Sequence, residues 1–206
     1  ALYLQRARET GDFEDYRRAE EVARRSLALR VAHNSATYVV LASALLAQHR
    51  FTEARAAARA LNARDPGVPR NQALLAEIEL ELGHYDAARV LFDSLARTPH
   101  DLAIAPRLAR WAELTGRTDI ARRLLERALA DALARRDLPR EQVAWFYLRV
   151  GDFHLRHGQL AKADYASRAG LTVHPGDYRL LAALARLAAA RGQWRRAIAY
   201  GQDAIA

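Results

Sequence analysis

The sequence predicts an all-α chain built from a repeated pair of antiparallel helices, and three observations carry that prediction. Composition is the first: 51% of the 206 residues are hydrophobic and 27% charged, with alanine the commonest type and leucine the next. These are strong helix formers, whereas β-branched residues are few. The second is a recurring turn, in which a glycine is followed two residues later by an aromatic or leucine, or once by threonine, and three later again by alanine. It stands at Gly83/Tyr85/Ala88, Gly116/Thr118/Ala121, Gly158/Leu160/Ala163 and Gly192/Trp194/Ala197, with His49/Phe51/Ala54 as a variant and a delayed copy at Gly11/Phe13/Ala19. The third is its period: Ala54, Ala88, Ala121, Ala163 and Ala197 lie 34, 33, 42 and 34 residues apart. A fixed interval of this length marks supersecondary units stacked on one another.

The elements follow from these turns in order. The expected pairs are Ala1–Glu9 with Glu14–Val31, Ser35–Gln48 with Thr52–Arg64, Pro69–Leu82 with Asp86–Arg97, Ala105–Thr115 with Thr118–Arg136, Pro139–His157 with Leu160–Val173, and Asp177–Arg191 with Trp194–Ala206. Glycine between two helices supplies the left-handed residue that ends the first, and Asp12, Thr52 and Thr118 are placed to cap the second. Pro106 is tolerated only in a first turn, so the helix beside it starts there and is short. The long interval holds eight extra residues within Asp131–Pro139, and Ala130–Arg135 keeps a helical pattern. That predicts a second helix about two turns too long, projecting from the edge of the stack.

The pattern resembles the tetratricopeptide repeat family, whose unit of 34 residues is a helix–turn–helix pair. Small residues stand where the two helices of that unit cross: Ala42, Ala76, Ala109, Gly151 and Ala185 on first helices, and Ala19, Ala54, Ala88, Ala121, Ala163 and Ala197 on second helices. Short side chains there let the axes approach. Pro66, Pro99 and Pro175 match the proline that closes the unit, while the large aromatic expected early in the first helix survives only as Tyr38 and Tyr147. The resemblance covers essentially the whole chain and implies a right-handed superhelical solenoid in one domain, 1–206. Its six repeats are 1–34, 35–68, 69–101, 102–143 with the extended second helix, 144–177 and 178–206. The outer repeats read as incomplete, which leaves two expectations: the ordered core of a longer chain, or an open end that stacks on another copy.

Little in the residues supports an enzyme. Cysteine is absent, so there is no thiolate metal site or disulfide framework, and no glycine-rich phosphate loop occurs. No cofactor is expected. Asp152, His154 and His157 have a spacing that brings potential ligands to one helix face, but the resemblance turns His154 toward the partner helix, which favours a packed histidine. No apolar run is long enough to span a membrane and the N-terminus carries no leader pattern. The compartment stays open, inside a bacterium or exported.

Binding remains, and the resemblance implies a concave groove lined by first helices. Carried over one by one, its lining is Val39, Ser43 and Leu46 in the second repeat and Arg70, Glu77, Leu80 and Glu81 in the third. Arg110 follows in the fourth, then Trp145, Leu148, Asp152 and Arg156 in the fifth, and Arg179 and Arg186 in the sixth. The clamp that chaperone-binding members use on a C-terminal carboxylate is not matched. A looser cationic strip, Arg110, Arg149, Arg179 and Arg186, would suit an acidic peptide through bidentate contacts. Net charge is +8, distributed over the repeats as +1, +2, −3, +3, +1 and +4. An acidic third repeat interrupts any continuous basic track, which argues against nucleic acid. The sequence therefore predicts a non-catalytic protein-interaction scaffold that takes a peptide or helical segment in its groove. Stacking of copies through open ends is the alternative, and nucleic-acid binding at the basic C-terminal end the third reading.

Overall fold

The computed structural model describes residues 1–30 and 32–205, and every regular element within them is a helix. The helices are α1 (Leu2–Thr10), α2 (Glu14–Leu29), α3 (Ser35–Ala47), α4 (Phe51–Arg64), α5 (Pro69–Glu81), α6 (Tyr85–Leu95), α7 (Ala105–Leu114), α8 (Thr118–Ala134), α9 (Arg140–Arg156), α10 (Leu160–Val173), α11 (Tyr178–Ala190) and α12 (Trp194–Ile205). All twelve expected helices are present, with ends within two residues of the prediction. The expected ends at Val31 and Ala206 lie outside the described residues.

Two compact units make up the chain, Ala1–Leu108 and Ala109–Ala206. In the first, Leu41, Ala42 and Leu45 of α3 pack with Ala54, Ala57 and Ala58 of α4 and with Leu74 and Ile78 of α5. In the second, Ala109 and Ala112 of α7, Ala121 and Leu125 of α8, Val150 and Phe153 of α9 and Ala166 of α10 form one cluster. Ala163 with Leu184 and Leu187 of α11 forms another. The crossing alanines of the first five repeats are buried as their spacing requires, whereas Ala185 and Ala197 of the sixth are not fully buried.

The turns explain the repeat. Gly11, Gly83, Gly116, Gly158 and Gly192 all take φ between 67° and 76°, the left-handed conformation, and the amide of Gly11 returns to the carbonyl of Ala7. His49 holds the same place at φ 56°, a conformation that an L side chain adopts at a cost. Thr52 and Thr118 do not cap: they lie inside α4 and at the first residue of α8, and no side-chain cap bond opens either helix. Asp12 accepts from the amide of Glu14 at 2.9 Å. Asp177 closes the N-terminus of α11, accepting from the amides of Arg179 and Leu180. Pro106 sits in the first turn of a ten-residue α7, as its ring requires.

The insertion behaves differently from the expectation. It is shared between two helices: α8 has 17 residues against 14 in α4 and α10, and α9 starts early and has 17 against 13 in α3, α5 and α11. Neither extension stands free. Ala132 near the end of α8 is fully buried, and Glu141 in the added turn of α9 is 2% exposed. The added length is absorbed because it brings a carboxylate to an arginine on α11.

Candidate partner-binding faces

The first helices of each unit carry the expected binding residues, and what they present is set by ion pairs between one first helix and the next. In the first unit, Val39 of α3 is exposed while Ser43 and Leu46 are half-buried. On α5, Leu80 is 7% exposed and so belongs to the core rather than to a groove; its apolar side chain is covered where a ligand was expected to meet it. Glu81 is half-buried. Glu77 accepts from Nε of Arg107 on α7 at 2.7 Å, and Arg70 bonds to Asp101 ahead of that helix.

The second unit repeats the device. Arg156 of α9 donates through Nε and Nη2 to the two carboxylate oxygens of Glu113 on α7, at 2.9 and 2.8 Å. Burial alone would raise the carboxyl pKa of Glu113, but the hydrogen bond and charge of Arg156 hold it below the ordinary range. Arg186 of α11 donates to Asp152 of α9 at 2.8 Å. N-terminal to both rungs on α9 lies a stretch with an aromatic and an aliphatic side chain. Trp145 is half-buried and meets Phe146 edge to face at 5.0 Å, the guanidinium of Arg149 stands 5.8 Å from its ring, and Leu148 is half-buried one turn on. Arg110 is half-buried on α7.

Arg179 departs from its expected role as a groove cation. Its side chain is only 14% exposed and donates to Glu141 at 2.7 Å and to Asp177 at 2.6 Å. Burial opposes its charge, yet Asp177 and Glu141 more than compensate and hold its pKa above the ordinary guanidinium value. An arginine committed to two buried carboxylates is not offered to a ligand carboxylate, so the predicted strip loses its central member.

Against known proteins, no protein-family model matches the sequence and no curated protein matches it. Solved structures do. TTC0263, a thermophilic TPR protein in Thermus thermophilus, superposes with a TM-score of 0.64 at 25% identity, covering 83% of this chain and 90% of that one. PilW, a widely conserved type IV pilus biogenesis factor, gives 0.66 at 21% identity over 84% and 76% of the two chains. BtubC (BKLC) from P. vanneervenii gives 0.64 at 18% identity over 93% and 87%. The chain has the tetratricopeptide-repeat fold.

Within that TPR fold the remaining chemistry-bearing residues have structural partners. His154 is buried and hydrogen-bonded through Nδ1 to Oε1 of Gln159 at 2.7 Å. Burial depresses its pKa, and the imidazole is neutral near pH 7. His157 instead donates from Nδ1 to the carbonyl of Phe153 at 2.8 Å, and Asp152 turns to Arg186, so the three do not converge on a metal position. No group of three or more His, Asp or Glu among the described residues is placed to hold a metal ion. No helix among them is long and apolar enough to cross a membrane. Glu79, on the same helix as Glu77 and Glu81, is 2% exposed and held by Arg55, Arg59 and His84 at 2.8, 3.1 and 2.7 Å. The rungs Glu77–Arg107 and Glu113–Arg156 escaped sequence reasoning because each joins residues at least 30 positions apart. The signal that could have found them is opposite charge at matching places on successive first helices.

Proposed function

We propose that the chain is a non-catalytic protein-interaction scaffold and that the first-helix face of its second unit holds a segment of a partner protein. The observation that supports this reading is the half-buried pair Trp145 and Leu148 on α9, followed on the same helix by Asp152 and Arg156, which pair with Arg186 and Glu113. A large aromatic and an aliphatic side chain one turn apart suit an apolar anchor of a helical or extended segment. The rungs neutralise the flanking charges before any ligand arrives, so apolar contact dominates and charge adjusts register. Acidic residues beside the anchor would compete with Asp152 for Arg186, whose side chain is 58% exposed. That contact keeps a place for an acidic partner although Arg179 is withdrawn.

The test is selection of displayed peptides on the folded chain, followed by affinity measurement with the Trp145→Ala/Leu148→Ala variant. Loss of at least about tenfold is expected, since truncating an interface aromatic costs about 2 kcal/mol or more. Unchanged affinity of every selected peptide overturns the proposal.

A second reading, association of copies through the exposed apolar face of α12, is favoured by three residues of that helix. Trp194, Ile198 and Ile205 are 66%, 62% and 87% exposed and share one face of that helix. Sedimentation across a concentration range tests it: Ile198→Glu should abolish any concentration dependence, and a monomer at all concentrations rejects it. The nucleic-acid reading has less support, because ion pairs occupy the first-helix arginines Arg156, Arg179 and Arg186.

A further inference from the structure

A cavity of about 390 Å³ lies in the second unit, lined by the second helices α8 and α10 and by α9, on residues other than Trp145 and Leu148. Its walls are Leu129 of α8, Tyr147 and Val150 of α9, and Ala161, Tyr165 and Ala166 of α10. The volume falls in the range of small-molecule sites, which combine an apolar lining with a few placed polar groups. Besides the phenols of Tyr147 and Tyr165, three residues with ionisable heads meet it: Glu126, His154 and Lys162.

Their chemistry is asymmetric. Glu126 already accepts from Nη1 of Arg122 at 2.8 Å, which ties its carboxylate to its own helix. His154 spends Nδ1 on Gln159, and burial keeps its ring uncharged at neutral pH. Lys162 is the only lysine in the chain, and among the described residues its ammonium pairs with no carboxylate. This contrasts with the arginines of the first helices, where Arg107, Arg156, Arg179 and Arg186 are all paired. An exposed cation without a carboxylate partner, beside a mainly apolar cavity, complements a ligand with one negative charge and an apolar body. A dianionic head is disfavoured because Glu126 stands at the same rim. Polar or bulky-headed ligands are disfavoured by the apolar walls, since burying a polar group without a partner costs free energy.

We propose that this cavity binds a medium-chain monocarboxylate, with its hydrocarbon chain against Leu129, Tyr147 and Val150 and its carboxylate on Nζ of Lys162. Lys162 lines the cavity and is exposed, and a lysine in such a place can lay its methylenes on apolar surface while its ammonium stays in water. Tyr165, 76% exposed on the next turn of α10, also lines it. The site is independent of the first-helix face, so its failure leaves the scaffold reading untouched, and loss of the scaffold reading does not remove it.

The probes are decanoate and its uncharged counterpart decanol, titrated calorimetrically into the full chain below their aggregation concentrations. Two variants are compared: Lys162→Met, which keeps an apolar stem and removes the charge, and Ala161→Trp, which fills the cavity from an exposed helix position. Saturable one-to-one binding of decanoate is expected. Lys162→Met should weaken decanoate by about tenfold or more, the scale of a charge-assisted contact, and leave decanol unchanged. Ala161→Trp should abolish both, with helical circular dichroism intact. The proposal is overturned if decanoate shows no saturable binding, if decanol binds as tightly as decanoate, or if Lys162→Met binds decanoate like the wild type.

Discussion

The guanidinium of Arg156 meets both carboxylate oxygens of Glu113 although 43 positions of sequence separate them. The pair ties α9 to α7, and Asp152–Arg186 ties α9 to α11 in the same way. Both arginines are about half exposed. Pairs of this kind contribute about 0.2–1 kcal/mol each. Glu113→Gln should therefore lower stability by no more than about 1 kcal/mol, measured as a small shift of the urea midpoint, and added salt should mimic it.

Arg179 is the opposite case. Glu141 and Asp177 are 2% exposed, and removing their shared guanidinium leaves two buried carboxylates without its charge. Arg179→Ala should cost about 3–5 kcal/mol, several times the cost of Glu113→Gln. Equal costs in urea denaturation would contradict the assignment of Arg179 to the interior.

His49 and Gly83 occupy the same turn in successive repeats, at φ 56° and 76°. A β-carbon added at Gly83 would meet nothing within 4 Å, so any cost there is conformational alone. Gly83→Ala should destabilise by about 1–2 kcal/mol, whereas His49→Gly should stabilise by up to about 1 kcal/mol, because the left-handed conformation penalises a side chain by that order. Thermal melting of the two variants checks the opposite signs.

Acid should unfold the first unit through its buried carboxylates. Burial opposes ionisation of Glu79, but Arg55, His84 and Arg59 outweigh it and hold its pKa below the ordinary 4.5. Arg6 and Arg18 hold Asp15 below its ordinary 3.8 despite burial. Between the folded and the ordinary values the unfolded chain binds more protons than the folded one. The stabilisation is therefore complete above the ordinary values and is lost as pH falls through the folded ones. Urea midpoints should hold steady from pH 7 to about 5 and decline below that, and Glu79→Gln should flatten part of the decline.

The fold was legible because its signals are local or strictly periodic. Gly83, Gly116 and Ala88 report a turn and a crossing from within a few residues, and the interval between copies counts the repeats. The fate of single groove side chains was not legible. Leu80 falls on a lining position and yet is covered, and Arg179 falls on another and is drawn inward by Glu141 in the first turn of α9. Burial at such a position depends on what the neighbouring repeat brings, and that lies 30 to 38 residues away in sequence. The Lys162 cavity escaped for the same reason: its walls come from three helices, and no spacing in any one of them marks it.

The scaffold reading stands on Trp145 and Leu148, and one measurement tests it most directly. A peptide selected on the wild-type chain is titrated against Trp145→Ala/Leu148→Ala, against Arg186→Ala and against Trp194→Ala. The account predicts a loss of about tenfold or more for the first, a smaller loss for the second and none for the third. Full affinity in the Trp145/Leu148 variant, with loss confined to Trp194→Ala, would contradict it and place recognition on α12.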